Sequence, residues 1–203
     1  MFCKVVAMSD SPIKRTVSRT PASQVRSSLV AAGRRILEDT GQAGLTIRAV
    51  AAAASVAPMG VYNHFDGKEG LLNAVVTDGF REFGTTIAAT DDDPAQRLAN
   101  AGRGYRLFAL ANPTLYSLMF INDCHPDAEI ATKAFDTLTE IIRYGQNGGI
   151  IRDGDAQSIA LQVWSCVHGA MSLELGAGLP AFIDADSNFE NVIALVARGL
   201  APE

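Results

Sequence analysis

The stretch that decides the fold is TIRAVAAAASVAPMGVYNHFDGK, residues 46–68. Its apolar positions recur at helical spacing on both sides of Ser55, which predicts two short helices joined by a tight turn. Thr46 is placed to cap the first helix, because its hydroxyl can accept a hydrogen bond from an unpaired backbone N–H. Pro58 suits the first position of the second helix, where a missing N–H costs no intrahelical bond. The pattern predicts a helix-turn-helix whose second helix enters the DNA major groove.

The second helix has a buried and an exposed side. Val61 and Phe65 are four residues apart and form the buried stripe. The residues predicted to face outward are Pro58, Met59, Asn63 and His64, with Tyr62 at the edge of the core. Asn63 can form a bidentate pair of hydrogen bonds with adenine, whereas Pro58 and Met59 offer only apolar contact. We therefore expect modest base readout, together with readout of phosphates and DNA shape.

The longer run LTIRAVAAAASVAPMGVYNHFDGKEGLL, residues 45–72, resembles the DNA-binding motif of the TetR family of bacterial transcriptional regulators. Order and spacing hold without a gap at Leu45-Thr46, Val50-Ala51, Val56, Val61-Tyr62, His64-Phe65, Lys68-Glu69 and Leu71-Leu72. Two positions depart from the family pattern. Ser55 stands where the turn usually has Gly, so we expect strain there. Ala57 stands where Ser or Thr usually caps the recognition helix, and a capping oxygen typically contributes about 1 kcal/mol.

This resemblance implies a homodimeric repressor that reads a near-palindromic operator in double-stranded DNA, with one helix-turn-helix per subunit. The residues that it assigns to DNA contact are Thr46, Pro58, Met59, Gly60, Tyr62, Asn63, His64 and Lys68. Thr46, Tyr62 and His64 resemble positions that bond the phosphate backbone. Lys68 is expected at a helix N-terminus, where its charge and the backbone N–H groups favour a phosphate. A partly buried tyrosine and ordinary exposed histidine and lysine side chains are the alternative interpretation.

Composition and periodicity predict an all-α protein of about nine helices. The 203 residues are 48% hydrophobic, and no alternation of Val, Ile and Thr indicates a sheet. The predicted organisation is a disordered arm over residues 1–20, a three-helix DNA-binding domain over 21–67 and a ligand-binding and dimerisation domain over 68–203. The predicted helices outside the motif cover residues 21–40, 68 to about 89, 94–111, 113–120, 127–146, 155–175 and 187–200.

Charge divides unevenly along the chain. Residues 1–71 carry +4 and the remainder carries −9, within a net charge of −5. A basic N-terminal part on an acidic body is typical of a DNA-binding protein with a separate, DNA-repelling domain. Three scattered cysteines and the absence of a long apolar run predict a cytoplasmic protein without disulfides, a membrane span, a metal site or a cofactor.

The segment QVWSCVHGAMSLEL, residues 162–175, and Asn112-Pro113 with Tyr116 resemble one group of TetR-like C-terminal domains, marked by Trp-x-x-x-His-Gly. A small-molecule effector would need an apolar cavity with few polar groups. Its candidate lining residues are Phe83, Tyr105, Phe108, Tyr116, Met119, Phe120, Trp164 and His168; ordinary core packing is the alternative for most of them. The resemblance also implies pairing of the last two helices with their copies. The candidate interface residues are Cys166, Gly169, Ala170, Leu173, Val192, Val196 and Gly199, and a monomeric core using the same stripe is the alternative.

Two other functions are alternatives to a ligand-responsive repressor. A helical enzyme or metal-binding bundle is disfavoured, because His64, His125 and His168 are too scattered for a ligand pair. No Glu-x-x-His motif, Gly-rich phosphate loop or nucleophile elbow occurs either. A DNA-binding regulator controlled by a protein partner, or by no ligand, stays open, and a cavity filled by the protein's own side chains would favour it.

Overall fold

The computed structural model describes residues 21–121 and 124–202, and the predicted arm over residues 1–20 lies outside them. Nine helices and no strand occur in the described residues, which confirms the all-α prediction. The helices are α1 (Ala22–Gly44), α2 (Ile47–Ala53), α3 (Pro58–Tyr62), α4 (Gly67–Thr86), α5 (Pro94–Ala111), α6 (Pro113–Ile121), α7 (Ala128–Asn147), α8 (Ala156–Leu175) and α9 (Ala185–Leu200). The domain boundary at residues 67 and 68 stays a prediction.

Two predictions about α2 and the turn after it are confirmed: Thr46 caps α2, and the backbone is strained at Ser55. Thr46 caps α2, since its hydroxyl accepts a hydrogen bond from the backbone N–H of Ala49 at 3.2 Å. Ser55 follows α2 with a φ of 56°, a left-handed conformation that costs a non-glycine residue roughly 1–2 kcal/mol. The backbone N–H of Val56 reaches back to the carbonyl of Ala51 at 2.9 Å and closes the turn.

As the sequence predicts, no side chain caps the start of α3. Pro58 is at the start of the helix, and Ala57 precedes it in an extended conformation without a side-chain hydrogen bond. Val61 is fully buried and Phe65 nearly so, which fixes α3 against the helices before and after it. The orientation of the short helix therefore depends on packing rather than on capping.

The first helix is interrupted where the sequence predicts its end. Gly41, with a φ of 70° and a ψ of −177°, has a non-helical backbone inside α1, and a further helical turn follows it to Gly44. A Cβ at Gly33 would lie 3.1 Å from a methyl of Val75, so α1 and α4 approach closely. The DNA-binding unit is thereby packed on the first half of α4.

Aspartate caps set the starts of the later helices. Asp93, Asp127, Asp155 and Asp184 accept hydrogen bonds from backbone N–H groups at the N-termini of α5, α7, α8 and α9. The predicted starts of α7 and α8 are off by one residue because each aspartate is the cap and not the first helical residue. Helix α9 begins two residues before the predicted position because Asp184 is its cap.

Helix α4 is shared by both halves of the chain. Its N-terminal half carries the buried residues Leu71 and Val75, beside α1, and its C-terminal half carries Phe80 and Phe83. A Cβ at Gly84 would lie 3.3 Å from Ala134, so α4 and α7 also pack closely. Helices α5, α7, α8 and α9 complete the second half. In the described part of the chain, no helix combines the length and apolarity that a bilayer crossing needs.

Candidate functional site

The outward side of α3 is an exposed, uncharged surface. Met59 is 67% exposed and Tyr62 is 58% exposed, and Pro58 and Asn63 are exposed as well. The expectation that Tyr62 is partly a core residue is wrong, because Val61 occupies the core-facing position beside it. Large apolar surface at the tip of a small helix is typical of a contact with another molecule.

His64 and Gly60 have structural roles in this unit. His64 is half-buried, and its ring lies against Phe65 with centroids 6.3 Å apart, so it faces outward less than predicted. A Cβ at Gly60 would lie 2.3 Å from a methyl of Val56, a clash that requires glycine at this point. Both residues therefore help to place α3, and a DNA contact by either stays a prediction.

The two positions predicted to meet phosphates lie at helix N-termini. Thr46 is exposed at the start of α2, and Lys68 is exposed in the first turn of α4. The Nζ of Lys68 donates a hydrogen bond to the carbonyl oxygen of Gln42 at 3.3 Å. Asp66 provides no side-chain cap to α4. The N–H of Gly67 donates to the carbonyl oxygen of Phe65 at 2.9 Å, so the N–H groups of Lys68 and Glu69 are the ones that remain for an external acceptor such as a phosphate.

A cavity of about 140 Å³ lies between α4, α5, α6, α7, α8 and α9. Tyr105 and Trp164 are the only polar side chains in its described wall, and no charged side chain lines it. The wall consists of Phe80, Phe83, Ile87, Leu98, Ala101, Gly102, Tyr105, Phe120, Ala131, Ala134, Phe135, Leu138, Val163, Trp164, Val167, Ile193 and Val196. Such a wall suits a neutral, mostly apolar molecule.

Four polar side chains form one hydrogen-bonded cluster at the wall. The indole Nε1–H of Trp164 donates to the hydroxyl oxygen of Tyr105 at 3.2 Å. The hydroxyls of Tyr105 and Tyr116 lie 3.1 Å apart, and they lie 2.9 Å and 2.8 Å from His168 Nδ1. Burial raises the pKa of Tyr105 well above its usual range and that of Tyr116 to about 12. Burial also lowers the pKa of His168, which favours a neutral imidazole that accepts at Nδ1.

Half of the predicted ligand residues line the cavity: Phe83, Tyr105, Phe120 and Trp164. Phe108, Tyr116, Met119 and His168 lie outside its wall. Phe108 is 2% exposed and its ring packs edge-on against Phe83, so it supports the wall from behind. Tyr116 and His168 reach the wall through the hydroxyl of Tyr105 and through ring contacts. The ring of Phe120 lies 5.0 Å from that of Tyr116 and 5.2 Å from that of His168. A direct ligand contact by any of these residues stays a prediction.

The predicted interface residues fall into two groups. Cys166, Gly169, Leu173 and Gly199 are exposed, and a Cβ at either glycine would meet no atom within 4 Å. Ala170, Val192 and Val196 instead belong to the interior of the subunit: Ala170 is 7% exposed, Val192 is partly buried against the core, and Val196 lines the cavity. These three residues pack against helices of their own chain, and a contact of any of them with a second copy stays a prediction. Leu161 and Leu195, at 51% and 60% exposure, extend the exposed group.

The sequence did not predict the hydrogen bonds that connect α1 to α6. The carboxylate of Glu38 accepts hydrogen bonds from the backbone N–H groups of Leu115 at 2.8 Å and Thr114 at 3.3 Å, so α1 caps α6. Arg34 donates to the amide oxygen of Asn112 at 2.7 Å and also bonds Glu82 of α4. The exposed-looking charge pattern of α1 gave no signal for these contacts, which join residues far apart in sequence.

No group of three or more His, Cys, Asp and Glu side chains in the described ranges is arranged to hold a metal ion. The two sites are thus the α3 surface, which consists of Pro58, Met59, Tyr62 and Asn63, and the apolar cavity.

Comparison with known proteins identifies both halves of the chain. Residues 29–75 match the family model described as bacterial regulatory proteins, tetR family. Residues 98–196 match the model described as tetracyclin repressor-like, C-terminal domain. The HTH-type transcriptional regulator Rv1816 of Mycobacterium tuberculosis (strain ATCC 25618 / H37Rv) is 29% identical over 146 residues. The alignment covers 66% of this chain and 62% of that protein, which is less than two thirds of its length.

Solved structures share the fold. A protein with unknown function from Rhodococcus sp. RHA1 is 28% identical, with a TM-score of 0.77 over 93% of this chain and 100% of that chain. RolR in complex with its ligand resorcinol has a TM-score of 0.63 at 19% identity, over 90% of each chain. At that identity the likeness to RolR shows the fold alone. From the two family models and the fold, the chain belongs to the TetR family of bacterial transcriptional regulators.

Proposed function

We propose that this protein is a homodimeric repressor that binds a near-palindromic DNA operator through α3 and leaves it when a small, largely apolar molecule occupies the cavity. Two features together carry the proposal: the exposed α3 surface and the open cavity. The long helix α4 connects them, because it begins just after α3 and its C-terminal half lines the cavity.

The DNA-binding part is supported by what surrounds α3. Met59, Tyr62 and Asn63 are exposed on a helix that Val61 anchors firmly. Lys68 places an ammonium group next to that surface at the N-terminus of α4, where the helix dipole also favours an anion, and Glu69 in the same turn offsets part of this positive charge. Asn63 offers the hydrogen-bonding pattern that adenine matches, and Met59 offers a methyl-contacting surface. Phosphate contacts by Lys68 would position the helix, and α3 would select the sequence.

The effector part is supported by the cavity itself. A regulator that answers only to a protein partner has no need for an internal cavity, and a cavity filled by its own side chains would favour that alternative. Here about 140 Å³ stays open inside an apolar wall. RolR, which shares the fold, forms a complex with resorcinol. Both observations favour a small-molecule effector over a protein partner.

The two sites would communicate along α4. Lys68 lies in the first turn of this helix, and Phe80 and Phe83 lie in the cavity wall. At 1.5 Å per residue, Lys68 and Phe83 are about 22 Å apart along the helix axis. A tilt of α4 on ligand binding would change the separation of the two α3 helices in a dimer, which must match about one turn of DNA or a multiple of it. The ligand shifts the equilibrium only as far as it binds the two arrangements unequally.

The dimer is supported by exposed small and apolar residues on α8 and α9. Gly169 and Gly199 leave open space where a second helix can approach, and Leu161, Leu173 and Leu195 surround that space with exposed apolar surface. A pair of α8 helices and a pair of α9 helices would form a four-helix bundle around the two-fold axis.

The test is a mobility-shift titration of the full chain with the DNA flanking its own coding region, at moderate and stated salt. Asn63→Ala should abolish preference for the specific site over competitor DNA, because α3 then loses its base-reading amide. Lys68→Ala should weaken binding to all sequences and reduce the salt dependence by about one counterion.

Matched controls are available for both variants. Asn147→Ala and Lys133→Ala remove the same side chains from exposed positions on α7 and should leave DNA binding unchanged. Absence of binding to any sequence, in a selection from random DNA, would refute the DNA-binding proposal. Equal losses in Lys68→Ala and Lys133→Ala would refute the phosphate role of Lys68.

A further inference from the structure

The cavity has room for one small guest molecule. Its volume is about 140 Å³. In another protein, an engineered apolar cavity of about 150 Å³ stays dry and binds benzene. A guest of about one six-membered ring therefore fits this cavity as it stands, whereas a two-ring guest requires the wall to move.

The side chains of the wall reject a charged guest. Apart from Gly102, Tyr105 and Trp164, the described wall carries only hydrocarbon side chains, and none of its side chains is ionised. A carboxylate or ammonium that entered would lose its hydration shell without gaining a countercharge. The guest is therefore uncharged.

The polar side-chain atoms of the wall are already engaged. The indole N–H of Trp164 donates to the hydroxyl oxygen of Tyr105 at 3.2 Å. The same oxygen lies 3.1 Å from the hydroxyl of Tyr116 and 2.9 Å from His168 Nδ1, so three partners surround it. In the described residues, no buried side-chain nitrogen or oxygen lacks a hydrogen-bond partner. The side chains of the wall thus offer a guest neither a free donor nor a free acceptor.

The backbone of the wall is paired as well. Every wall residue except Ile87 lies within a helix, where its N–H bonds the carbonyl four residues earlier. Ile87 donates its N–H to the carbonyl of Phe83 at 3.0 Å, and its own carbonyl accepts from the N–H of Ala89 at 2.8 Å. The carbonyl of Phe120, in the last turn of α6, is directed along the helix axis past Ile121 and not sideways with the ring. A polar group on the guest would therefore exchange its bonds to water for none in the wall.

We propose that the ligand of this cavity is a neutral hydrocarbon of about one six-membered ring, without any hydrogen-bonding group. The inference rests on the proposed function in taking the cavity as the effector site. Phenols, alcohols and amines of the same size are disfavoured, because the wall does not compensate the desolvation of their polar group. The wall selects by withholding a hydrogen-bond partner and not by directing a bond at the guest.

The test is isothermal titration calorimetry of the full chain, in a sealed cell at neutral pH, with toluene, phenol and benzoate. Toluene and phenol carry a methyl and a hydroxyl group of similar size, so their affinity ratio measures whether the wall returns a hydrogen bond. Toluene should bind about tenfold more tightly than phenol, the cost of one unpaired hydroxyl, and benzoate should not bind. Trp164 is the single tryptophan of the chain, so a change in its fluorescence on toluene binding reports occupancy of this cavity.

A filled-cavity variant locates the site. Ala131→Leu adds methyl and methylene groups to the wall from α7 and should weaken toluene binding about tenfold, because they take the space of the guest. Ala128→Leu makes the same change at an exposed position of α7 and should leave toluene binding unchanged.

A second variant tests the selection itself. Tyr105→Phe removes the acceptor of the Trp164 N–H and leaves that donor free at the wall, while the bond between Tyr116 and His168 stays available. A phenol oxygen can accept from this N–H, so the toluene preference should shrink. Tyr144→Phe is the matched control, because the hydroxyl of Tyr144 bonds the carbonyl of Asp92 away from the cavity, and the preference should persist there. An undiminished preference in Tyr105→Phe would contradict selection by a fully paired wall.

The outcomes separate this inference from the proposed function. Phenol binding as tightly as toluene, or toluene binding that Ala131→Leu leaves intact, overturns the ligand class. Operator binding by a protein that does not take toluene also overturns the ligand class and leaves the regulator standing. Toluene binding in the cavity without any change in DNA affinity upholds the ligand class and refutes effector control through this site.

Discussion

Removal of the Glu38 carboxylate should destabilise the protein through a helix that Glu38 does not belong to. Glu38 lies on α1, and its two oxygens accept from the first free N–H groups of α6. The residue before α6, Asn112, cannot replace it, because its amide oxygen accepts from Arg34 and its amide N–H donates to the carbonyl of Phe108. Glu38 is thus the N-terminal cap of α6, supplied from another helix.

The magnitude follows from the two hydrogen bonds. A hydrogen bond to a charged group contributes about 1.5–3 kcal/mol, and one of neutral groups about 1 kcal/mol. The bond to Leu115, at 2.8 Å, is short and its residue is fully buried, whereas the bond to Thr114, at 3.3 Å, is long. We therefore expect Glu38→Ala to lower the free energy of unfolding by about 2–3 kcal/mol. Glu38→Gln keeps one acceptor but no charge, and should lower it by about 1 kcal/mol.

The assay is urea unfolding followed by far-UV circular dichroism, with a thermal scan alongside. For a chain of this length, about 2–3 kcal/mol corresponds to a fall in Tm of roughly 5–10 °C. Asp39→Asn is the matched control, because it removes a carboxylate at the adjacent, exposed position of the same helix and should change stability by less than about 0.5 kcal/mol. If Glu38→Ala and Asp39→Asn are equally stable, α6 does not depend on this cap and the reasoning fails.

Three further changes have defined signs. Ser55→Gly should raise the free energy of unfolding in urea by about 1 kcal/mol, since φ is 56° there. Ser28→Gly, inside α1, should lower it by a similar amount. If both variants change the free energy of unfolding in the same direction, the strain argument is contradicted. Gly169→Arg should yield a folded monomer by light scattering, because a Cβ there meets nothing in its own subunit, and the exposed Thr132→Arg should stay dimeric. Burial lowers the pKa of His168, so the folded state takes up its proton less readily than the unfolded chain. The contribution of neutral His168 to the free energy of unfolding is complete above pH about 6.5 and is lost as the pH falls through the lower pKa of the folded state. A His168→Gln variant should therefore show a flatter dependence of the free energy of unfolding on pH. An unchanged dependence would contradict this.

Local signals in the sequence were sufficient to predict where most helices begin. Thr46, Pro58 and the aspartates before α5, α7, α8 and α9 act on backbone groups within a few residues, so their effect can be predicted without tertiary structure. The differences at helix ends also have a local origin. Gly41, which marks a turn in the sequence, interrupts α1 with a φ of 70°, and a further helical turn follows it to Gly44.

The candidate sites were harder to predict because they depend on distant contacts. The polar atoms of Tyr105, Tyr116 and His168 make each of them a candidate on its own, yet nothing in the sequence indicates that the three bond each other. Only the fold shows that, of these three residues, Tyr105 is the one that lines the cavity. Glu38 and Leu115 are 77 positions apart, and a glutamate on an amphipathic helix is most simply interpreted as exposed.

Small residues on α8 and α9 illustrate a different limit. Ala170 and Gly169 are adjacent and both permit close helix packing, but one faces α8's own subunit and the other faces open space. The sequence predicts that something packs closely at such positions. It does not distinguish a neighbouring helix from a second copy of the chain, because the packing physics is the same in both cases.

Close contacts connect the cavity wall to α1 and α4. Phe120 is in the cavity wall near the end of α6, and the start of α6 is held by Glu38 of α1. Between these points α6 lies against α4 without spare volume, since a Cβ at Gly79 would lie 3.0 Å from Leu115 and 3.1 Å from the sulfur of Met119. A close-packed contact transmits displacement because it cannot be compressed. Under the proposed ligand control, a guest that displaced Phe120 would therefore move α4, or α1, or both, and both helices belong to the unit that positions α3.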